Sequence, residues 1–519
     1  MKFLIGGAML LACTNVATAG TPPPLQDLDA TVERVRAQFD VPGIAVAVVK
    51  DGQVVLERGW GVRERGKPAT VEADTLFAIA SNTKAFTATS LNLLAEDGKL
   101  KMDDKVIDHL PSFRLSDPFV TGQMTIRDLL SHRSGLSLGA GDLLFWPATS
   151  YRNADVVQRL AHVPLKGGFR ERYAYDNILY AVAQQLIEHV SGMSYQQFLQ
   201  TRIFDKVGMA GTRYNADHLQ ASDNAAVGHA SYDFKDLRTV APLTWSNNAG
   251  AGGIYSSAHD MARWMQVQLA EGKLADGTAL FSAKSQQQMW QMITPQVVAE
   301  PAVPELLPAR PNFAGYGEGW SLSDYQGHKL VWHTGGWPGM VSRVTLVPEA
   351  NLGVVVLTNQ EAGAAFNAIT LSVLDAYLGR SGHDWVDAYR KAMDKGRDKA
   401  DQAWAKHQAA RDRTSRPSLS LDAYAGTYRD SWYGDMRISR TGKALRLQFD
   451  KTAQLVGTLE HWQHDTFIVR WDDRSLNADA FVTFSLDPDG KVRDVRMQAI
   501  SELTDFSFDF QDLLFVPQE

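Results

Sequence analysis

Ala80-Ser81-Asn82-Thr83-Lys84-Ala85-Phe86 follows the apolar run Leu76-Phe77-Ala78-Ile79 and opens a stretch patterned as a helix from Asn82 to Asp97, with Gly98 as its stop. Residues three apart share one face of a helix, so Lys84 is expected one turn beyond Ser81 on the same side. Two readings compete. In one, Ser81 caps the helix and Lys84 is a surface charge. In the other, Ser81 is a nucleophile and Lys84 the base that takes its proton. A lysine can be that base only if burial or nearby positive charge lowers its pKa. Phe77, Ile79, Ala85, Phe86, Leu91 and Leu94 offer such burial. The N-terminal end of the helix also favours negative charge developing near Ser81. This is the only Ser-x-x-Lys in the chain.

On the N-terminal side, Gly43–Gly61 holds two β-rich runs around Asp51-Gly52, a strong hairpin signal. On the C-terminal side, helical patterning returns in stretches such as Asn177–Gly192. The β signal resumes at His328–Gly336 and Val341–Gln360. The early hairpin and the late runs can share one antiparallel sheet, with helices between them in sequence, in an α+β or α/β layered domain. From about Trp385 to Arg413 the chain is charged and Ala-rich, which reads as a solvated helical linker. Thr414–Ser420 breaks it, and short β-like runs with turn signals follow from Leu421 onward. About a hundred such residues suggest a small barrel or sandwich as a separate domain.

The chain has 519 residues, which suggests two or three domains, with 45% apolar and 21% charged residues. Its net charge of -7 leaves no basic excess to neutralise phosphates, which argues against a nucleic-acid partner. The N-terminus carries Lys2, an apolar run Phe3–Ala12 and the small-residue site Ala17-Thr18-Ala19. We read residues 1–19 as a secretory signal peptide cut after Ala19, which sends the protein to a periplasm or outside the cell. A competing reading is lipidation at Cys13, since Leu10-Leu11-Ala12-Cys13 resembles a bacterial lipobox. Cys13 is the only cysteine, so cleavage after Ala19 would leave no thiol for disulfides, catalysis or metal binding. No other segment is apolar for long enough to cross a bilayer, so no stable membrane span is expected.

A serine nucleophile with a lysine base also needs a proton relay and donors for an oxyanion. Tyr175-Asp176-Asn177 offers a phenol that can shuttle a proton and an amide that can hold a substrate carbonyl or the lysine. His333-Thr334-Gly335-Gly336 ends a β run in glycines, where a substrate backbone can approach and a main-chain N–H can face an oxyanion. Taken singly, Tyr175 could be a core tyrosine and Thr334-Gly335-Gly336 an ordinary turn.

Taken together and in this order, these motifs resemble the penicillin-recognising serine hydrolases: class C β-lactamases, DD-carboxypeptidases, D-aminopeptidases and related esterases. The resemblance covers about Leu28 to Gly379. It is carried also by "VPGIAVAVVKDG" (Val41–Gly52), "TIRDLLSHRSGL" (Thr125–Leu136), "AGAGGIYSSAHDMARWM" (Ala249–Met265) and "YGEGWSL" (Tyr316–Leu322). It implies an α+β, β-lactamase/transpeptidase-like domain over residues 28–380, with an antiparallel sheet flanked by helices. Residues 381–416 would then be the helical linker. The stretch "YAGTYRDSWYGDMRI" (Tyr424–Ile438) looks like the lipocalin-like domain often appended to such hydrolases, here residues 417–519 as a small all-β barrel.

The resemblance also implies roles. Ser81 attacks and is acylated, Lys84 is the base, and Tyr175 passes protons to the leaving group. Asn177, His333, Thr334, Gly335 and Gly336 bind substrate, with the N–H groups of Ser81 and Gly336 as the oxyanion hole. Whether Lys84 or Tyr175 is the main base stays open. No cofactor and no metal are called for, and the substrate is a small peptide, an ester or a β-lactam. Three readings are open for the C-terminal domain, capping the cleft, mediating oligomers or binding an apolar ligand, and a structural or gating role is the leading one.

β-Lactamases and DD-peptidases usually carry lysine where this chain has His333. Histidine titrates near neutrality and reaches less far, so weaker carboxylate selection is expected, as in the D-aminopeptidase and esterase branches. Amide or ester cleavage is therefore the leading reading, a true β-lactamase the second, and a non-catalytic penicillin-binding sensor or cell-wall binding protein the third. Asp176 replaces a commonly small residue and is expected to face solvent; buried, it would instead bias the site toward cationic substrates. Phe145, Trp146 and Trp337 either line an apolar pocket or pack in the core. His132 reads as structural. His461 and His464 lack the further ligands that a metal site needs.

Overall fold

The computed structural model describes residues 23–518, so the predicted signal peptide, its cleavage site and Cys13 lie outside the described residues. Eight strands build one sheet: β1 (Gly43–Lys50), β2 (Gln53–Gly61), β3 (Thr294–Gln296), β4 (Ala314–Tyr316), β5 (Ser321–Tyr325), β6 (His328–Trp337), β7 (Met340–Val347) and β8 (Leu352–Thr358). Their order is β2-β1-β8-β7-β6-β5-β4-β3, and every pairing is antiparallel. The hairpin turn falls at Asp51-Gly52, with φ of 52° and 76°. Positive φ at both central residues gives a turn whose twist matches that of the strands it joins.

β1 is buried on both faces, and its alternation divides two cores. Ile44, Val46 and Val48 face one layer, which includes helices α1 (Leu28–Phe39) and α5 (Gly363–Leu378). Ala45, Ala47 and Val49 face the other. That second layer contains α2 (Thr83–Glu96), α3 (Ile178–Ser191) and α4 (Ala258–Leu269). The sheet is thus sandwiched between helices, and the small residues of β1 allow the second layer to pack close. α2 arises where the Ser81 motif predicts it, and α3 ends at Gly192 in the left-handed conformation that glycine allows at a helix end.

Helix α6 (Trp385–Ala410) runs for 26 residues. Its first turn is tied down by Trp385, whose indole N–H donates to Asp375 Oδ2 at 2.8 Å. Beyond it, β9 (Gly426–Asp430), β10 (Gly434–Thr441), β11 (Ala444–Phe449), β12 (Val456–Gln463), β13 (Thr466–Trp471), β14 (Ala480–Leu486), β15 (Val492–Ala499) and β16 (Val516–Pro517) form a second antiparallel sheet. Its order is β15-β14-β13-β12-β11-β10-β9-β16. A bridge between Val495 and Phe515 brings the two ends together, so the sheet is a nearly closed barrel. Tyr424, Phe449, Trp471, Phe484 and Phe510 fill it. Among the described residues no helix is long and apolar enough to cross a membrane.

Candidate active site

The site is built on the turn that leads into α2. Phe77-Ala78 pairs with Tyr255-Ser256, and the chain then enters a short 3-10 turn, Ala80–Asn82. Ala80 has φ 46°, a left-handed conformation that costs a non-glycine residue about 1 kcal/mol. The turn is over-determined by its neighbours. Ile79 N–H donates to Ile254 O at 3.0 Å, Ser342 Oγ donates to Ile79 O at 2.7 Å, and Asn82 Nδ2 donates to Ser342 Oγ at 2.8 Å. Ser81 makes no capping bond to the helix, and Lys84 is 0% exposed. The helix-cap and surface-lysine reading therefore fails on both residues.

Lys84 Nζ has three partners: Ser81 Oγ at 3.0 Å, Asn177 Oδ1 at 2.7 Å and Ala251 O at 3.0 Å. Two of these can only accept. A neutral amine donates to them with its two hydrogens and keeps its lone pair for the Ser81 hydroxyl. Ser81 thus reverses from acceptor to donor when Lys84 loses a proton, with no heavy atom displaced. Burial lowers the Lys84 pKa to about 7, against the opposing pull of Asp142 and Asp176.

Tyr175 and Asn177 come from the loop before α3. The Lys84 amine lies 4.8 Å from the Tyr175 ring centre and 5.1 Å from that of Tyr180. Burial pushes the Tyr175 phenol well above its ordinary value, while the adjacent Ser81 hydroxyl pulls the other way. Asp176 does not face solvent: it is fully buried. It accepts from Ser134 Oγ at 3.2 Å, and its own backbone N–H donates to His132 Nδ1 at 3.1 Å. These partners lie more than forty residues back in sequence, which is why the local pattern misplaces it. His132 is fully buried and stacks at 4.2 Å on Tyr175, so it braces the phenol.

β6 brings the remaining four residues alongside the turn. A Cβ on Gly335 would stand 2.2 Å from Ile79 O and 2.5 Å from Ser342 Oγ, so only glycine lets this strand approach the nucleophile turn. Gly336 is exposed, and a Cβ there would meet nothing within 4 Å. Thr334 is half-buried opposite Arg343 on β7. His333 is 4% exposed, and both its ring nitrogens are engaged: Nε2 with the Tyr316 hydroxyl at 2.8 Å and Nδ1 with Thr334 O at 2.6 Å. Burial, reinforced by Lys84, lowers its pKa to about 3, so the ring is neutral.

A cleft of about 1140 Å³ opens beside Gly336. Trp146 and Trp337 line one part of it, and Asp505 and Phe508 from the segment after β15 line another. Phe145 does not line it; it is core, edge-on to Trp245 at 5.2 Å.

Three features escaped the sequence reading. Asp142 is fully buried behind Asn177 and accepts from its Nδ2 at 2.8 Å. The segment Asp505–Asp512 of the C-terminal domain reaches the same place: Phe506 packs edge-on against Tyr175 at 6.0 Å, and Ser507 Oγ donates to Asp142 Oδ2 at 2.8 Å. Gly135-Leu136-Ser137-Leu138-Gly139 spells the Gly-x-Ser-x-Gly of another hydrolase class. Its serine lies in a loop rather than on the strand-to-helix elbow that class requires, and donates to Asp512 Oδ2 at 3.1 Å. His461 Nε2 pairs with His464 O at 2.9 Å, and among the described residues no group of three or more His, Cys, Asp or Glu could hold a metal.

Known proteins share this fold. Residues 28–377 match the family model described as Beta-lactamase, and residues 410–517 match a domain of unknown function. The unguisins hydrolase of Aspergillus violaceofuscus is 28% identical over 481 residues, covering 85% of this chain and 82% of that one. Protein flp of Staphylococcus aureus is 26% identical over 339 residues, 64% of this chain and 63% of its own. The octameric penicillin-binding protein homologue from Pyrococcus abyssi aligns over 95% of this chain and 99% of its own, with a TM-score of 0.59 and 22% identity. The D-amino acid amidase from Ochrobactrum anthropi aligns over 68% of this chain and 99% of its own, with a TM-score of 0.56 and 23% identity. The last two likenesses establish the fold alone. With two thirds of its length on the family model, the chain belongs to the Beta-lactamase family and is a serine hydrolase.

Proposed function

We propose that the chain cleaves amide or ester bonds of small acyl donors, D-residue peptides or carboxylic esters, through an acyl-enzyme on Ser81. The observation that carries this reading is the buried Lys84 amine, 3.0 Å from Ser81 Oγ and poised near neutrality. Lys84 takes the Ser81 proton as Oγ bonds to the substrate carbonyl carbon. The backbone N–H groups of Ser81 and Gly336 hold the oxyanion. Tyr175 relays that proton: it takes one from the Lys84 ammonium as it delivers its own to the leaving nitrogen or oxygen when that bond breaks. Lys84 is then neutral again and the phenol stays protonated, and Asn177 orients the Lys84 amine and the substrate carbonyl. Water then attacks the acyl carbon, its proton goes to the same base, and Ser81 regains its hydrogen. Lys84, not a tyrosinate, is the base in this reading, because burial disfavours ionised Tyr175.

The substrate class follows from what His333 offers beside the nucleophile and from the aromatic wall of the neighbouring cleft. His333 is neutral and already hydrogen-bonded at both nitrogens, so it provides no fixed cation for a β-lactam or terminal carboxylate. Trp146 and Trp337 give the cleft an apolar wall. The likeness to a D-amino acid amidase and to a hydrolase of unguisins is in keeping with such substrates. Nitrocefin, a p-nitrophenyl acyl ester and D-Ala-p-nitroanilide, with Ser81→Ala as control, test it. Ser81-dependent turnover of the ester or anilide with little nitrocefin cleavage is expected. Fast nitrocefin hydrolysis would make the enzyme a β-lactamase instead.

A further inference from the structure

The loop Gly139–Trp146 crosses behind the active site and is held from the C-terminal domain. Asp509, fully buried, accepts from Gly141 N–H at 2.6 Å and from Leu143 N–H at 3.2 Å, the two residues that flank Asp142. Lys166 pairs with Asp512, which also accepts from Ser137. Within this frame Asp142 Oδ2 takes two donors, the Asn177 amide and the Ser507 hydroxyl, both at 2.8 Å. The Asn177 bond decides the orientation of that amide. With Nδ2 turned to Asp142, Oδ1 must face Lys84, where it accepts at 2.7 Å. An unbroken chain of hydrogen bonds therefore runs from Ser507 through Asp142, Asn177 and Lys84 to Ser81.

We propose that Asp142 is a positioning residue of this site, which sets the Asn177 amide against Lys84 and is itself locked in place by Ser507 of the C-terminal domain. The barrel is then a working part of the catalytic centre. This inference rests on the proposed Ser81–Lys84 chemistry.

The surroundings make the charge of Asp142 consequential. Lys84 is faced by Asp142 and Asp176, by the rings of Tyr175 and Tyr180, and by His132 and His333. Asp142 is faced by Lys84, Asp505 and Asp509. Burial raises its carboxyl to about 8, against the pull of Asn177, Ser507 and Lys84. Asp142 and Lys84 thus hold protons over the same pH range, and a change at one is felt at the other.

The test is the rate at which a fluorophosphonate labels Ser81 in the full-length protein, followed against pH. Asp142→Asn removes the part of the Asp142 carboxyl that is ionised near pH 7, which favours the ammonium form of Lys84. Its acid limb should move to lower pH, with labelling slowed about tenfold on the plateau, the difference between a hydrogen bond to a charged acceptor and one to a neutral acceptor. Ser507→Ala, a milder change in another domain, should move the limb the same way by less. The double variant should label no more slowly than Asp142→Asn alone, because both act on one chain of bonds. If Asp142→Asn does not fold, as judged by near-ultraviolet circular dichroism, Ser507→Ala carries the test alone. A limb that stays in place in every folded variant, or effects that multiply, would overturn the inference while leaving the proposed function intact. A wild-type protein that is not labelled at all would overturn both.

Discussion

At the scale of the residue, the account turns on one amine with three partners. Lys84 is the base only when neutral, so activity belongs above its pKa. With that pKa near 7, kcat/KM should fall about tenfold per pH unit below 7 and level off above it. An acid limb below pH 5 would instead point to a carboxylate. Lys84→Arg should be as damaging as Lys84→Ala, a loss of about 10²–10⁴-fold in acylation, because a guanidinium keeps its proton. Recovery of activity in Lys84→Arg would show that only positive charge is needed. Ser81 and Lys84 were legible in the sequence because three residues of a helix suffice to join them. Asp142 was not, since its two partners lie 35 and 365 residues away and no local pattern links them.

At the scale of the element, β6 is effective because it lies against the turn Ala80–Asn82. The two glycines at its end have different tasks. Gly335→Ala would press a methyl group into Ile79 O and Ser342 Oγ, and overpacking of this kind costs about 1–3 kcal/mol. Its melting temperature should drop and kcat should fall with it. Gly336→Ala meets open space, so its melting temperature should match the wild type and only turnover and KM should change. Equal melting temperatures for both variants would contradict this division. Five of the eight strands were legible: Asp51-Gly52 between β-branched runs gives the hairpin, and the late β runs give β6, β7 and β8, whereas β3, β4 and β5, of three to five residues each, are too short to show a period. Asp176 was misread because its burial depends on Ser134 and His132, which arrive from another loop.

At the scale of the whole molecule, the barrel and the hydrolase share a core. One apolar cluster runs from Phe86 and Tyr180 around the site to Trp432, Phe449 and Phe510 in the barrel. Polar contacts reinforce it: the Tyr151 hydroxyl donates to Tyr433 O, and Arg159 Nη1 donates to Trp432 O at 2.9 Å. Calorimetry of the full chain should therefore show one cooperative unfolding transition rather than two. Two separate transitions would mean that the barrel is held only by α6. Short strands broken by turns made the barrel itself legible from residue 421 onward. Its docking was not, because Phe506–Phe510 reads as one more short β-like run, whereas it forms no strand and the fold brings Phe506, Ser507 and Asp509 against Tyr175, Asp142 and Gly141.

The most direct measurement is intact-protein and peptide mass spectrometry after rapid acid quench of the protein mixed with a p-nitrophenyl acyl ester. The account predicts a mass increase equal to one acyl group, carried by Ser81, absent in Ser81→Ala and formed far more slowly in Lys84→Ala. Turnover with an unmodified Ser81, or an acyl group on another residue, would contradict it.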